Sequence, residues 1–116
     1  GQAKLTPSYN LPCDYIIHTV GPIVHGLLTE KDCKLLKRCY KSVLALAEDN
    51  KVESIAFCCI STGEFHFPNL EAAKIAIKSV KKFLKTRKSV KRVVFNVYKD
   101  TDKEIYDKLL RKNIIY

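Results

Sequence analysis

The sequence predicts an α/β fold in which strands and amphipathic helices alternate as β, α, β, α, β, α. Apolar or β-branched runs, which are typical of strands, occupy residues 15–20, 54–60 and 90–98. Each run is followed by a segment whose apolar side chains recur with the period of a helix. A short edge strand over residues 3–6 is a further expectation.

The first two strands and the helix between them predict one βαβ unit. Thr29 can cap the helix, and Glu30 and Asp32 suit its first turn. The apolar stripe predicts a buried face of Leu36, Cys39, Tyr40, Val43, Leu44 and Ala47. Because residues 54–60 are almost wholly apolar, as in a strand covered on both faces, we expect this strand to run parallel to the strand at 15–20. His18, alone in that first strand, is expected to be a packed, hydrogen-bonded core residue.

The second half of the chain repeats the alternation. Asn69 is the expected N-cap of a helix that buries Ala73, Ala76, Ile77, Val80 and Leu84. A capping box at residues 101–104 is expected to open the last helix. The predicted buried face of that helix is Ile105, Tyr106, Leu109 and Leu110.

Composition limits the classes of protein. We expect residues 1–116, of which 47% are hydrophobic, to form one domain. No apolar run reaches the length of a membrane-spanning helix. The five cysteines are odd in number and lack C-x-x-C spacing, which favours a reducing, cytoplasmic location, and no metal site is expected. A net charge of +9 favours anionic partners, although lysines on exposed helix faces also serve solubility.

The loop after the second strand, residues 61–67, is the candidate binding site. Gly63 would let backbone N–H groups approach a phosphate, the next helix begins nearby, and the aromatic residues 65–67 offer flat faces for stacking. In open α/β sheets ligands bind beyond the carboxyl ends of the strands, where Asn96 and Tyr98 are also expected. We expect Gly63→Val to abolish nucleotide binding and leave the fold intact. The alternative is an ordinary strand-to-helix turn.

Several motifs carry a family resemblance, namely Tyr9-Asn10-Leu11-Pro12, the run from Tyr15 to Pro22, Cys39-Tyr40, Ile60-Ser61-Thr62-Gly63, Phe67-Pro68 and Asn96-Val97-Tyr98. With these motifs the chain resembles a macro domain, the ADP-ribose-recognising fold. Residues 64–69 are similar to a microbial subgroup of zinc-dependent macro domains that remove ADP-ribose from proteins. The resemblance implies a three-layer α/β/α architecture around a mixed sheet.

The resemblance also implies roles for residues. The loop would wrap the diphosphate and the distal ribose, and Tyr98 would be an aromatic on the adenine side. The residues assigned to ligand binding are Ile60, Ser61, Thr62, Gly63, Glu64, Phe65, His66, Asn96 and Tyr98; no catalytic residue is identified. Glu64 and His66 are the acid–base candidates of the loop, and we expect both to line the pocket.

A full macro domain is longer, so the chain is expected to be its C-terminal two-thirds. The N-terminal strands and helix, the adenine-reading acidic residue, the ribose loop and the Cys/His zinc ligands would then lie elsewhere. No cofactor is expected within this chain, and zinc would belong to the complete domain. The expected partners are ADP-ribose or an ADP-ribosylated protein, together with a second copy or another chain that covers the incomplete sheet. Neither a membrane nor nucleic acid is an expected partner.

Three functions stay open. The first is recognition of ADP-ribose or a related nucleotide diphosphate. The second is ADP-ribosyl hydrolysis, once the missing part or a partner chain completes the domain. The third is a basic nucleic-acid-binding or structural fragment without a nucleotide site.

Overall fold

A computed structural model describes residues 1–8, 10–97 and 99–112, with the side chains of Glu64 and Lys112 excepted. The elements are β1 (Ala3–Pro7), β2 (Tyr15–Thr19), α1 (Glu30–Asp49), β3 (Ser54–Phe57), α2 (Asn69–Leu84), β4 (Arg92–Phe95) and α3 (Asp100–Lys112), with a 3₁₀ turn at Gly63–Phe65. The alternation of strands and helices, with an extra strand at the start, is as the sequence predicts. Within the described part of the chain, no helix is long and apolar enough to cross a membrane.

The strands form two separate pairs. β1 runs antiparallel to β2, with Ala3 opposite Thr19, and β3 runs parallel to β4, with Phe57 opposite Phe95. The predicted βαβ unit would make β2 and β3 neighbours, but in the described residues they belong to different sheets. β2 pairs instead with β1 because a short connection returns the chain directly onto the preceding strand.

Helix α1 matches its prediction closely. Thr29 and Asp32 form a capping box, in which the Asp32 N–H donates to Thr29 Oγ1 at 3.2 Å and the Thr29 N–H donates to Asp32 Oδ2 at 3.1 Å. All six positions predicted for its inner face are buried. Local capping and periodicity were therefore sufficient to predict this element.

The starts of α2 and α3 differ from their predictions. Helix α2 begins at Asn69 and Pro68 occupies the N-cap position, so the assignment of Asn69 as N-cap is wrong. Pro68 has a fixed φ that suits a helix start, and the Asn69 amide is engaged elsewhere. Helix α3 begins at Asp100, which places Thr101 inside the first turn instead of at its cap.

Two strand predictions also need correction. β3 ends at Phe57, three residues earlier than expected, and Cys58 is exposed beyond it. His18 is exposed and not part of the core, because β2 turns alternate side chains outward. Its Nε2 atom lies 3.0 Å from Thr6 Oγ1 on the neighbouring strand, so the expected hydrogen bond is present.

The core lies where the three helices meet the parallel pair β3–β4. The α2 residues Ala73, Ala76, Ile77 and Val80 are buried as predicted, and Leu84 is half-buried. Alanines on this face allow α2 to lie close to α1. On α3, Tyr106 is buried, while Ile105, Leu109 and Leu110 pack on the core with partial exposure.

Candidate functional site

The loop between β3 and α2 has an unusual backbone. Ser61, Gly63 and His66 adopt left-handed conformations with φ of 65°, 75° and 61°. Two of the three are not glycine, and such conformations persist only where the surrounding structure holds them; they cluster at functional sites. A Cβ on Gly63 would meet open space, so the requirement for glycine at this position is conformational.

Hydrogen bonds fold the C-terminal half of the loop inward. The His66 N–H donates to Gly63 O at 3.0 Å, and the Phe67 N–H donates to Ser61 O at 2.9 Å. Phe67 is thereby directed into the core, with 2% of its surface exposed. It cannot be a stacking face for a ligand, contrary to the expectation for residues 65–67. Phe65 is half-buried and its carbonyl accepts the Val24 N–H at 2.9 Å, whereas His66 is exposed.

In the N-terminal half of the loop, backbone N–H groups have no hydrogen-bond acceptor among the described residues. Among the residues that the structure describes, none accepts a hydrogen bond from the N–H groups of Thr62 and Gly63. The Ser61 hydroxyl is also buried without a described hydrogen-bond partner. Adjacent N–H groups in a left-handed turn form a concave site for an anion. The assignment of phosphate contacts to this half of the loop stays a prediction.

Gly21 brings the end of the β1–β2 hairpin against this loop. A Cβ on Gly21 would collide with Ser61 Oγ and would lie 2.7 Å from Ile60 Cγ2. A glycine is therefore needed here for close approach rather than for its φ. The sequence signal was the Gly-Pro pair after the run at residues 15–20, which does not by itself indicate close approach to a distant loop.

A row of aromatic rings forms the floor beneath the carboxyl ends of β3 and β4. The ring centroids are 5.1 Å apart for Tyr40 and Phe57, 6.2 Å for Phe57 and Phe95, and 5.1 Å for Phe95 and Tyr106. Because Phe57 and Phe95 are opposite each other at the strand ends, the row crosses both strands. Aromatic contacts of this kind add stability beyond simple burial.

The phenols of Tyr40 and Tyr106 and the Cys59 thiol, beside these rings, stay protonated at neutral pH. Burial raises the pKa of both Tyr40 and Tyr106. Burial, followed by the charge of Asp102, raises the pKa of the Cys59 thiol. These groups are therefore poor candidates for a general base or a nucleophile. In the described residues no group of three or more His, Cys, Asp and Glu side chains is placed to hold a metal ion.

The other predicted site residues differ in exposure, and some of them lie outside the described part of the chain. Asn96 is exposed directly after β4, and its N–H donates to Phe57 O at 2.7 Å, which joins the ends of the two parallel strands. Ile60 and Thr62 are half-buried within the loop. Tyr98 and the side chain of Glu64 lie outside the described residues. The assignment of ligand contacts to these residues stays a prediction.

Two surface cavities lie away from the loop. One, of about 490 Å³, is at the N-terminal end of β1 and includes Lys4 and His18. The other, of about 380 Å³, lies between α2, β4 and α3 and includes Val80, Phe95 and Tyr106. Neither is lined by residues 60–67.

Sequence comparisons define the class of protein. The sequence model of the macro domain matches residues 1–76. A protein named protein-ADP-ribose hydrolase from Treponema medium is 52% identical over 110 residues, which cover 95% of this chain and 42% of that relative. A protein of the same name from Staphylococcus aureus is 48% identical over 114 residues, which cover 97% of this chain and 43% of that relative. The chain belongs to the macro domain family, and it spans less than half the length of these relatives.

Solved structures agree with this family. A macrodomain of Oceanobacillus iheyensis with ADP has a TM-score of 0.89 and 34% identity, over 97% of this chain and 58% of that one. A Trypanosoma brucei macrodomain in complex with ADP-ribose has a TM-score of 0.84 and 35% identity, over 93% of this chain and 44% of that one. The predicted macro-domain resemblance and α/β fold class are confirmed.

Proposed function

We propose that this chain recognises ADP-ribose, or a related nucleotide diphosphate, through the loop at residues 61–67. The observation that carries the proposal is the pair of uncommitted N–H groups at Thr62 and Gly63, held in place by left-handed residues at the carboxyl end of a parallel strand. That edge of an α/β sheet is where ligands bind, and N–H groups in this arrangement suit a diphosphate. Membership of a family whose solved members include complexes with ADP and ADP-ribose supports the same ligand.

The remaining contacts belong to the same proposal. Ile60, Phe65 and His66 would line the loop side of the ligand, with the side chain of Glu64. Asn96 and Tyr98 would approach from the end of β4. The placement of Asn96 beside Phe57 supports this arrangement, because it brings the two segments to one edge of the sheet.

Isothermal titration of the chain with ADP-ribose tests the proposal, with two glycine variants as a matched pair. Gly63 and Gly26 both have a φ of 75°, and an added Cβ would meet nothing within 4 Å at either position. Valine therefore strains the backbone at both. We expect Gly63→Val to abolish binding and Gly26→Val to retain it. Equal loss in the two variants, or unchanged affinity in Gly63→Val, would reject the loop as the site.

Salt dependence separates this function from binding of a basic fragment to nucleic acid. A lysine-rich surface that binds DNA or RNA by charge loses affinity steeply as salt increases. Binding of ADP-ribose through N–H groups of a preformed loop should depend on salt only weakly. A stronger affinity for DNA than for ADP-ribose, with a steep salt slope, would favour the fragment alternative.

A second candidate function is hydrolysis of ADP-ribosyl linkages by a completed domain. Its basis is the name of the relatives, of which this chain spans 42–43%. Hydrolysis needs a positioned water and a metal or an acid–base group, and the buried phenols and Cys59 are unsuited to that role because their pKa values are raised. We therefore assign binding to this chain, and hydrolysis, with zinc, to the complete domain. Release of ADP-ribose from a modified protein, measured with and without added zinc, distinguishes the two.

We also propose that another chain segment or a second copy of this chain covers its exposed apolar surface. Large apolar side chains are exposed along the hairpin and the segment after it, namely Leu11, Tyr15, Val20, Ile23 and Leu27. Such a surface needs a cover, which a second copy or another chain segment would supply. Residues 1–116 would then form one domain that is incomplete by itself. Light scattering across a concentration series should show a dimer, and a strictly monomeric chain would reject self-association.

The five free thiols support the proposed cytoplasmic location.

A further inference from the structure

Asn69 and Asp102 form a polar contact between the starts of two helices. The Asn69 Nδ2 atom donates to Asp102 Oδ1 at 2.8 Å, across 33 residues of sequence. Asp102 is 6% exposed, which is unusual for a carboxylate. Asn69 is the first residue of α2, and Asp102 is the third residue of α3.

In the sequence, each of the two residues comes shortly after a segment of the proposed site. Only Pro68 separates Asn69 from the loop at residues 61–67. Asp102 lies in the first turn of α3, which follows Asn96 and Val97 in the chain. The contact therefore joins the start of α2, after the loop, to the start of α3, while the Asn96 N–H to Phe57 O bond of 2.7 Å joins the ends of β4 and β3.

Helix α3 supports the floor of the site from the same face. Tyr106 lies one helical turn after Asp102 and packs on Phe95, with ring centroids 5.1 Å apart. The charge of Asp102 is felt at Cys59, whose pKa it helps to raise, so the carboxylate also lies near the beginning of the loop. One face of α3 is thus close to both ends of the loop and to the end of β4.

The contact is strong enough to fix this arrangement. A hydrogen bond from an amide to a buried carboxylate is stronger than one between neutral groups, and loss of the donor leaves a charge with insufficient compensation. The first turn of α3 provides part of that compensation through the helix dipole. Separation of the two segments would therefore be costly while this hydrogen bond is intact.

We propose that Asn69 and Asp102 are positioning residues, whose hydrogen bond sets the distance between the loop at 61–67 and the segment of Asn96 and Val97 after β4. The inference rests on the proposed function and extends it from the groups that contact the ligand to the pair that holds them. A diphosphate ligand that touches both segments needs them at a fixed separation. Loss of the pair would weaken binding although neither side chain contacts the ligand.

Titration with ADP-ribose and a double-mutant cycle test the pair. Asn69→Ala and Asp102→Ala should each weaken binding about tenfold, which is the loss expected from part of a charge-assisted hydrogen bond. The double variant should be no weaker than either single variant, because the interaction can be lost only once. The reciprocal swap N69D/D102N restores a carboxylate and an amide at hydrogen-bonding distance and should bring the affinity back to within about threefold of the unsubstituted chain.

Glu48 provides the matched control, because its carboxylate also ties two elements together but does so far from the loop in sequence. It accepts the N–H groups of Ser89 at 2.6 Å and Val90 at 3.1 Å. Glu48→Ala should lower the melting temperature and leave the affinity for ADP-ribose unchanged. If Asn69→Ala behaves like Glu48→Ala, with a lower melting temperature and full affinity, the pair is merely structural and the inference fails.

Amide hydrogen exchange on the ligand-free chain makes the test independent of the proposed function. The Phe67 N–H is protected by its bond to Ser61 O within the loop, and the Asn96 N–H by its bond to Phe57 O at the end of β3. Exchange of both should accelerate about tenfold in Asn69→Ala but not in Glu48→Ala. If the unsubstituted chain does not bind ADP-ribose, the proposed function fails while the exchange result still decides whether the pair positions the segments. Unchanged exchange at both amides would overturn the inference.

Discussion

The parallel pair β3–β4 and the antiparallel hairpin β1–β2 are built on different principles. β3 and β4 lie among three helices, and Phe57 at the end of β3 is buried in the main core. Every residue of β1 and β2, all of which the structure describes, is half-buried or exposed. The hairpin packs on α1. β3 is nevertheless covered on one face only, because Ser54 and Ala56 are exposed while Phe57 is buried, so the expectation of a strand covered on both faces is wrong.

The difference shows where the candidate site obtains its rigidity. The loop at residues 61–67 continues from β3, rests on the aromatic row and is linked to α3, all within the helix-covered half. The hairpin reaches the loop mainly through Gly21 and Val24. We therefore expect substitutions in the helix-covered half to affect the whole fold, and those in the hairpin to have local effects.

The largest expected effect is that of Phe57→Ala in the aromatic row. Truncation of a buried phenylalanine leaves a cavity and should cost about 3–5 kcal/mol of unfolding free energy. Ile17→Ala, at a half-buried position of β2, should cost only about 1–2 kcal/mol because less apolar surface is lost. Urea unfolding measures both. Equal losses would mean that the hairpin belongs to the same cooperative core, and would break the comparison.

Gly21→Ala should have the next largest effect, because it tests the junction between the two regions. The added Cβ would meet Ser61 Oγ and Ile60 Cγ2, so the backbone must move, at a cost of about 1–3 kcal/mol. The affinity for ADP-ribose should fall with it, since Ser61 is displaced. Thermal unfolding and titration provide the measurements. Val20→Ala, at a neighbouring side chain that is 73% exposed, is the control and should change neither quantity measurably.

Glu48 should contribute a smaller, pH-dependent stabilisation to the helix-covered half. Its carboxylate accepts N–H groups from Val90, Ser89 and Lys88, and these hydrogen bonds hold its pKa below the ordinary value. A carboxyl whose pKa is lower in the folded state stabilises the fold above its unfolded pKa, and the contribution is lost as the pH falls through the folded pKa.

Urea unfolding at a series of pH values from neutral to acid measures this contribution. The difference in stability between the unsubstituted chain and Glu48→Gln should be present at neutral pH and should shrink as the carboxylate is protonated. Glu53→Gln is the control, because the Glu53 carboxylate pairs with Lys91 at 3.7 Å in solvent and should contribute little at any pH. A difference for Glu48→Gln that does not depend on pH would contradict the assignment.

The smallest effect is expected for His18→Ala in the hairpin. The His18 ring bonds to Thr6 Oγ1 at 3.0 Å, but both groups are near solvent, so the loss should be at most about 0.5 kcal/mol. Chemical unfolding provides the measurement, with Thr6→Ser, which keeps the hydroxyl, as its control. A loss of the size found for Phe57→Ala would show that the hairpin is more tightly coupled to the core than its exposure suggests.

The helices and the loop were predictable from the sequence because their signals are local. The capping residues and apolar period of α1 predicted both its start and its inner face, and the polar residues with a glycine after an apolar run predicted the loop that contains Gly63. Local signals misled us at Asn69 and Phe67. A residue type that often caps helices, and a ring in a loop, have the same local pattern whether they contact solvent, a ligand or the core.

The sequence alone thus determined which segments are helix, strand and connecting loop, since periodicity and turn chemistry act over a few neighbouring residues. The tertiary structure decided that Phe67 points inward, that Gly21 adjoins Ser61 and that Asn69 meets Asp102. It also decided that β2 pairs with β1 and not with β3. These choices depend on which distant surfaces fit together when the helices pack, and packing between residues far apart in the chain leaves no periodic trace in the sequence.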